Sequence, residues 1–212
     1  MVIIMFSVKT MTENEIEILK SKFICHLYPV KNLIEVNKIL SQIRKEYHDA
    51  SHNCYAYVIG QNKELQKCSD DGEPQKTAGS PMLNALLMND LTNVLAVVTR
   101  YFGGTLLGAG GLTRAYSSSV VECINKAKLY ELCQMMRFVI SIDYTQYSLL
   151  EDELKKHDII NEMFGSTIDI TLGVALNKIN EFKSVFTSVT RGKGIIKEDN
   201  LYIGLKSNER DM

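Results

Sequence analysis

Residues 93–116 read NVLAVVTRYFGGTLLGAGGLTRAY. Positions 94–98 are wholly apolar, as expected of a central strand covered on both faces. Next come five of the chain's 13 glycines within nine positions, 103–111. Glycine gives up the most backbone freedom on folding, so such a cluster implies unusual dihedrals or close backbone approach. From about residue 112 to 130, Ala115, Ser119, Val120, Cys123, Ile124 and Ala127 recur at helical spacing and offer small side chains to a neighbour. A strand running through a glycine loop into a helix is a recipe for holding an anion on main-chain amides. GGTLLGAGG nevertheless matches neither GxGxxG in register nor GxxxxGK[ST], so both nucleotide fingerprints fail on spacing.

Upstream, MVIIMFSV is too short and too quickly followed by polar residues to span a membrane, and it reads as a strand. Residues 13–19 read as a connector, and SKFICHLYPV as a strand. Leu33, Val36, Ile39, Leu40 and Ile43 then paint one stripe of a helix over 31–46. NCYAYVIG and residues 64–69 form an expected hairpin about the turn at 60–63. SDDGEPQKTAGSP is turn chemistry throughout, a long loop closed by Ser80-Pro81 as a helix start that runs to about Met88.

Downstream of Leu132 the order is strand 136–144, helix 148–157, strand 159–164, strand 167–174, helix 178–189 and strand 201–205. That βαββαβ order is the ferredoxin-like sandwich. The expected class is α+β with two domains, 1–132 and 136–206, joined near 131–135.

Composition excludes little. With 45% hydrophobic and 23% charged residues the chain is globular, and its net charge is −1. Lys and Arg number 14 against 13 Asp and Glu up to residue 132, and 10 against 12 beyond it. Any nucleic-acid contact must therefore come from a local patch. Five cysteines without CxxC spacing, and no secretory leader pattern, fit a reducing cytoplasm.

Candidate anion or ligand contacts are Lys76, Thr77, Gly79, Arg100, Tyr101, Gly103, Gly104, Gly108, Gly110, Gly111 and Arg114. Asp70, Asp71 and Glu73 form an acidic loop that fits no calcium pattern and reads first as turn formers, with metal or acid–base work as the alternative. His52, Cys54, Cys25, His26 and Cys68 lack ligand spacing and read as packing residues. His157 is placed at a helix C-terminus, where its charge is favourable. No cofactor or metal is expected.

HNCYAY (52–57), SDDGEP (69–74), TAGSPML (77–83) and VVTRYFGGTLLGAGGLTRAY (97–116) closely resemble the YigZ/IMPACT family, and the likeness spans the chain. The resemblance implies a first domain with the fold of domain IV of elongation factor G, and a ferredoxin-like second domain similar to domain V of that factor. Its eukaryotic members are translational regulators that act through an additional N-terminal domain, so their partner is not expected here. Lys76 stands where relatives commonly carry glycine, adding a charge and removing a permissive φ.

The leading expectation is a non-catalytic cytoplasmic regulator that binds RNA, the ribosome or a translation-linked protein. Arg100, Arg114 and Lys76 would hold phosphate, Tyr101 and Phe102 would stack or pack, and the acidic loop would order on contact. Neither a DNA sequence reader nor a membrane protein is expected, and the sequence does not set the oligomeric state. The rivals are an enzyme acting on a phosphorylated small molecule, with the glycine loop as phosphate cradle, and a pure protein-interaction module.

Overall fold

The computed structural model describes residues 4–207, which divide into two compact units at the boundary between Leu129 and Tyr130. In the first unit a five-stranded sheet has the order β2-β3-β6-β4-β5, with every neighbouring pair antiparallel. These strands are β2 (Thr12–Ile18), β3 (Ser21–Pro29), β4 (His52–Ile59), β5 (Leu65–Ser69) and β6 (Val94–Tyr101). A short β1 (Phe6–Val8) lies upstream, while residues 1–3 of the expected first strand fall outside the described residues.

Strand β6 is central and covered on both faces, as its unbroken apolar run requires. Val94, Ala96 and Val98 face α2 (Gly79–Met88) and α3 (Gly108–Lys126), whereas Leu95 and Val97 pack on α1 (Leu33–Glu46). The stripe on α1 is buried at Val36, Leu40 and Ile43, and Asn32 caps its start by accepting from Glu35 N at 3.0 Å.

Residues 13–19 are not a connector. Thr12–Ile18 is an edge strand whose Glu13, Glu15 and Glu17 point to solvent. Glutamate has weak β-propensity, yet charge on an edge deters further pairing. Leu19 and Lys20, at φ 47° and 65°, turn the chain into β3 as a two-residue hairpin loop.

The second unit is a sheet of order β10-β7-β9-β8, all antiparallel, formed by β7 (Leu129–Ile142), β8 (Asp158–Phe164), β9 (Ile168–Ala175) and β10 (Ile195–Ser207). Helices α4 (Tyr144–Leu154) and α5 (Ile179–Thr190) cover one face, over Phe138, Ile140, Ile142, Ile170 and Leu172. A 3-10 turn, Leu176–Lys178, precedes α5. Residues 131–135, expected as a joint, are strand, because β10 extends its pairing from Ile195 through Ser207 along them. No described helix is long and apolar enough to cross a membrane.

Candidate functional site

The long loop after β5 folds around a carboxylate. Asp70 Oδ1 accepts from Ala78 N (3.0 Å) and Gly79 N (2.8 Å), and Oδ2 accepts from Lys76 N (2.8 Å). Ser80-Pro81 is therefore not the start of α2. The helix begins at Gly79, its cap Ala78 offers no side chain, and Asp70 supplies the missing acceptor from nine residues away. Burial pushes the Asp70 carboxyl up, but the amides of Lys76, Gly79 and Ala78 outweigh it and hold the group below the usual aspartate range. Gly79 is required because an added Cβ would lie 2.8 Å from Ser69 backbone.

Asp71 Oδ2 accepts from Asn53 N at 2.7 Å, and its carbonyl faces His52 Nδ1 at 2.8 Å. Thr77 donates from Oγ1 to the Pro74 carbonyl at 2.6 Å and is buried. Lys76 adopts φ 64°, the left-handed region that favours glycine, with its side chain exposed. The acidic loop is thus held by its own hydrogen bonds.

Glu73 is buried beneath this loop. Its Oε1 accepts from Arg100 Nη1 at 2.7 Å and from Tyr116 OH at 2.8 Å. Burial, with Cys54 and Glu73 alongside, raises the Tyr116 phenol and keeps it a donor. Glu73 Oε2 lies 3.9 Å from His52 Nε2 and accepts no hydrogen bond among the described residues. Arg100 Nη2 reaches Ser21 Oγ at 3.4 Å, and Arg100 Nε is buried without a partner among the described residues. The Arg100 guanidinium sits 5.6 Å from the Phe102 ring centroid. Arg100 was expected to present its charge to phosphate, but its head is committed inward, where it neutralises Glu73.

After β6 the glycines separate into different duties. Gly103 admits a backbone crossing, since a Cβ there would lie 2.0 Å from Lys20, and its N–H donates to Ser21 Oγ. Gly104 and Gly108 take φ of 84° and 67°. Gly108, Gly110 and Gly111 belong to the first turn of α3, which starts earlier than its apolar pattern indicates. No side chain among the described residues caps this turn. Arg114 is exposed, and its Nη1 lies 3.8 Å from where a Cβ on Gly110 would stand, so the side chain runs back alongside the first turn. Tyr101 donates from its hydroxyl to Asp49 at 2.9 Å, and burial with Asp49 beside it pushes the phenol up.

These parts surround an open cleft of about 480 Å3, lined by Ser51, His52, Glu73, Arg100, Phe102 and the start of α3 among others. Leu106, Leu107 and Leu112 add apolar wall. Of the expected contacts, the structure brings Arg100, Gly108 and Glu73 to the cleft and seats Arg114 over the adjoining turn. Asp70, Thr77 and Gly79 build the loop that closes it, while Tyr101 turns to Asp49. Sequence reasoning missed His52 as a wall residue. Its signal was the HNC triplet opening a strand beside a turn-rich loop. Cys54 is no nucleophile, because burial pushes its thiol up to about 12 and its Sγ donates to the Asp70 carbonyl at 2.9 Å. Among the described residues no group of three or more His, Cys, Asp or Glu is placed to hold a metal.

Comparison with known proteins follows the same division. The Impact N-terminal domain matches residues 19–124, and a domain of unknown function (DUF1949) matches residues 140–193. The chain is 43% identical over 198 residues to the IMPACT family member YvyE of Bacillus subtilis (strain 168), covering 92% of this chain and 91% of that one. It is 33% identical over 180 residues to the IMPACT family member YigZ of Escherichia coli (strain K12), covering 83% and 88%. A solved structure described as that of an hypothetical protein superposes with a TM-score of 0.60 at 28% identity, covering 94% of this chain and 99% of that one.

Proposed function

The chain belongs to the IMPACT family, and on that premise we propose that it is a non-catalytic regulator binding RNA, the ribosome or a translation-linked protein through the face formed by residues 70–78 and 102–111. Family membership supports the translational setting, since the eukaryotic members that the sequence resembles are translational regulators. The order β10-β7-β9-β8, with both helices on one face, supports a ferredoxin-like second unit. The antiparallel first sheet with helices on both faces supports reading the first unit as similar to domain IV of elongation factor G.

One observation carries the binding reading. The start of α3 has no side-chain cap among the described residues and lines an open cleft at Gly108 and Ala109, with Arg114 Nη1 beside Gly110 in the same turn. Unsatisfied amides at a helix N-terminus carry partial positive charge, and an adjacent guanidinium adds a full one. The start of α2 differs in kind, because Asp70 already fills the anion's place. Lys76, exposed on the same loop, adds a second cation.

The test is single-stranded RNA binding measured against salt, for the native chain and Arg114→Ala. We expect affinity to fall with salt and the log–log slope to shrink by about one in the variant, since one phosphate contact is lost. Binding that ignores both salt and Arg114, or no binding at low salt, contradicts the proposal.

A further inference from the structure

We infer that Cys25 and Cys123 form a redox pair that a hydroperoxide joins as a disulfide, tying α3 to β3. The inference is independent of the RNA-binding reading above, because neither thiol lines the cleft.

Both side chains stand in one packed layer. Cys25 points from β3 toward α3, in the core it shares with Phe23, Leu27 and Val120, and Cys123 descends from α3 into the same core. Each is fully buried, and all five cysteines of the chain are free. Cys123 Sγ lies 3.5 Å from the Cys25 carbonyl and 3.4 Å from that of Thr12, and the two thiols hydrogen-bond to each other. A buried thiol most simply serves as a small apolar filler. Cys54, in the same core, fits that role, since it donates to the Asp70 carbonyl. Cys25 and Cys123 differ because sulfur faces sulfur across two elements nearly a hundred positions apart in the chain.

The pair is also asymmetric. The hydrogen bond from Cys25 holds the Cys123 thiol below its usual value against the opposing effect of burial, with the Leu27 amide and the Lys126 charge acting in the same direction as Cys25. The same contact, together with burial, pushes the Cys25 thiol up. Cys123 is thus the nucleophile and Cys25 the thiol that resolves it. Access follows from Thr12, which opens β2, an edge strand paired with β3 alone among the described residues. Local opening at such an edge costs less than global unfolding and admits a molecule as small as hydrogen peroxide. The Cys123 thiolate attacks one peroxide oxygen, the O–O bond breaks, and the departing hydroxide takes a proton and leaves as water. The Cys25 sulfur then attacks the sulfenic sulfur, the S–O bond breaks, and the displaced hydroxide carries off the Cys25 proton as a second water. The two sulfurs together lose two electrons, which reduce the peroxide.

The experiment treats the full, folded chain with hydrogen peroxide, then alkylates the remaining thiols in denaturant and maps the digested peptides by mass spectrometry. We expect a linked peptide pair holding Cys25 and Cys123, lighter than the two separate peptides by two hydrogens and parted again by dithiothreitol. Cys54 is expected to remain alkylated in the same sample. Cys25→Ala is expected to leave Cys123 as a sulfenic acid that dimedone traps, whereas Cys123→Ala is expected to leave Cys25 reduced. A link from either residue to Cys54, Cys68 or Cys133 instead overturns the inference. So does finding both residues reduced after a dose that oxidises a free cysteine peptide in the same tube. The peptide map of the native chain decides the matter even if neither variant folds.

Discussion

At the scale of single residues, the charged groups of the two loops divide into those that build the site and those left for a ligand. Arg100 and Glu73 form a buried pair, with side chains 7% and 3% exposed. Removing one partner strands a charge, so Arg100→Ala is expected to lose about 3–5 kcal/mol of stability, seen as a lowered denaturant midpoint. Arg114→Ala is expected to stay within about 0.5 kcal/mol of the native chain, as exposed substitutions do. The two arginines looked alike in the sequence because both flank the glycines. Nothing local reports that Glu73, 27 positions upstream, claims one of them. Lys76 carries the opposite lesson. Its departure from the usual glycine was visible, and its φ of 64° shows that the chain keeps the left-handed turn with a side chain in place. Lys76→Gly should therefore gain about 1 kcal/mol in chemical denaturation while weakening RNA binding at low salt.

At the scale of elements, both helix starts were legible in the sequence, α2 as a capped start and α3 as an anion-friendly one, but their real difference lies in a long-range partner. Asp70 occupies the start of α2, so Asp70→Ala is expected to cost about 1–3 kcal/mol by unfolding measurements. Its folded carboxyl is depressed, so the stability it contributes is complete above the ordinary aspartate value near ~4 and drains as pH falls through the lower folded value. An Asp70→Asn variant should show a flatter acid limb. The α3 boundary was placed about four residues late, because its first turn is built of glycines that carry no periodicity. Strand β2 was missed because alternating glutamates disguise an edge strand. By contrast β6, α1 and the β4–β5 hairpin follow directly from their patterns, since burial on a fixed period leaves a trace in composition.

Across the whole molecule, each unit buries a histidine whose titration opposes folding. Burial lowers His26 in the first unit, overriding the pull of Glu13. Burial likewise lowers His157 in the second, overriding Glu153, and its ring packs edge-on against Phe182 at 5.0 Å. His157 is thus a packed ring rather than a surface charge at a helix end. With folded values below the unfolded ~6.5, both contributions are full above that pH and fade as acid is added. The denaturant midpoint is expected to fall between about pH 7 and pH 5, and His157→Phe should reduce that fall. The claim on which the functional account rests is that the free amides opening α3 meet an anionic ligand. Backbone amide NMR during titration with single-stranded RNA tests it most directly. The account predicts saturating shift changes at Gly108, Ala109 and Gly110 with little change at Lys76 N and Gly79 N, which Asp70 already holds. Changes confined to residues outside the cleft, with the α3 start unmoved, would contradict it.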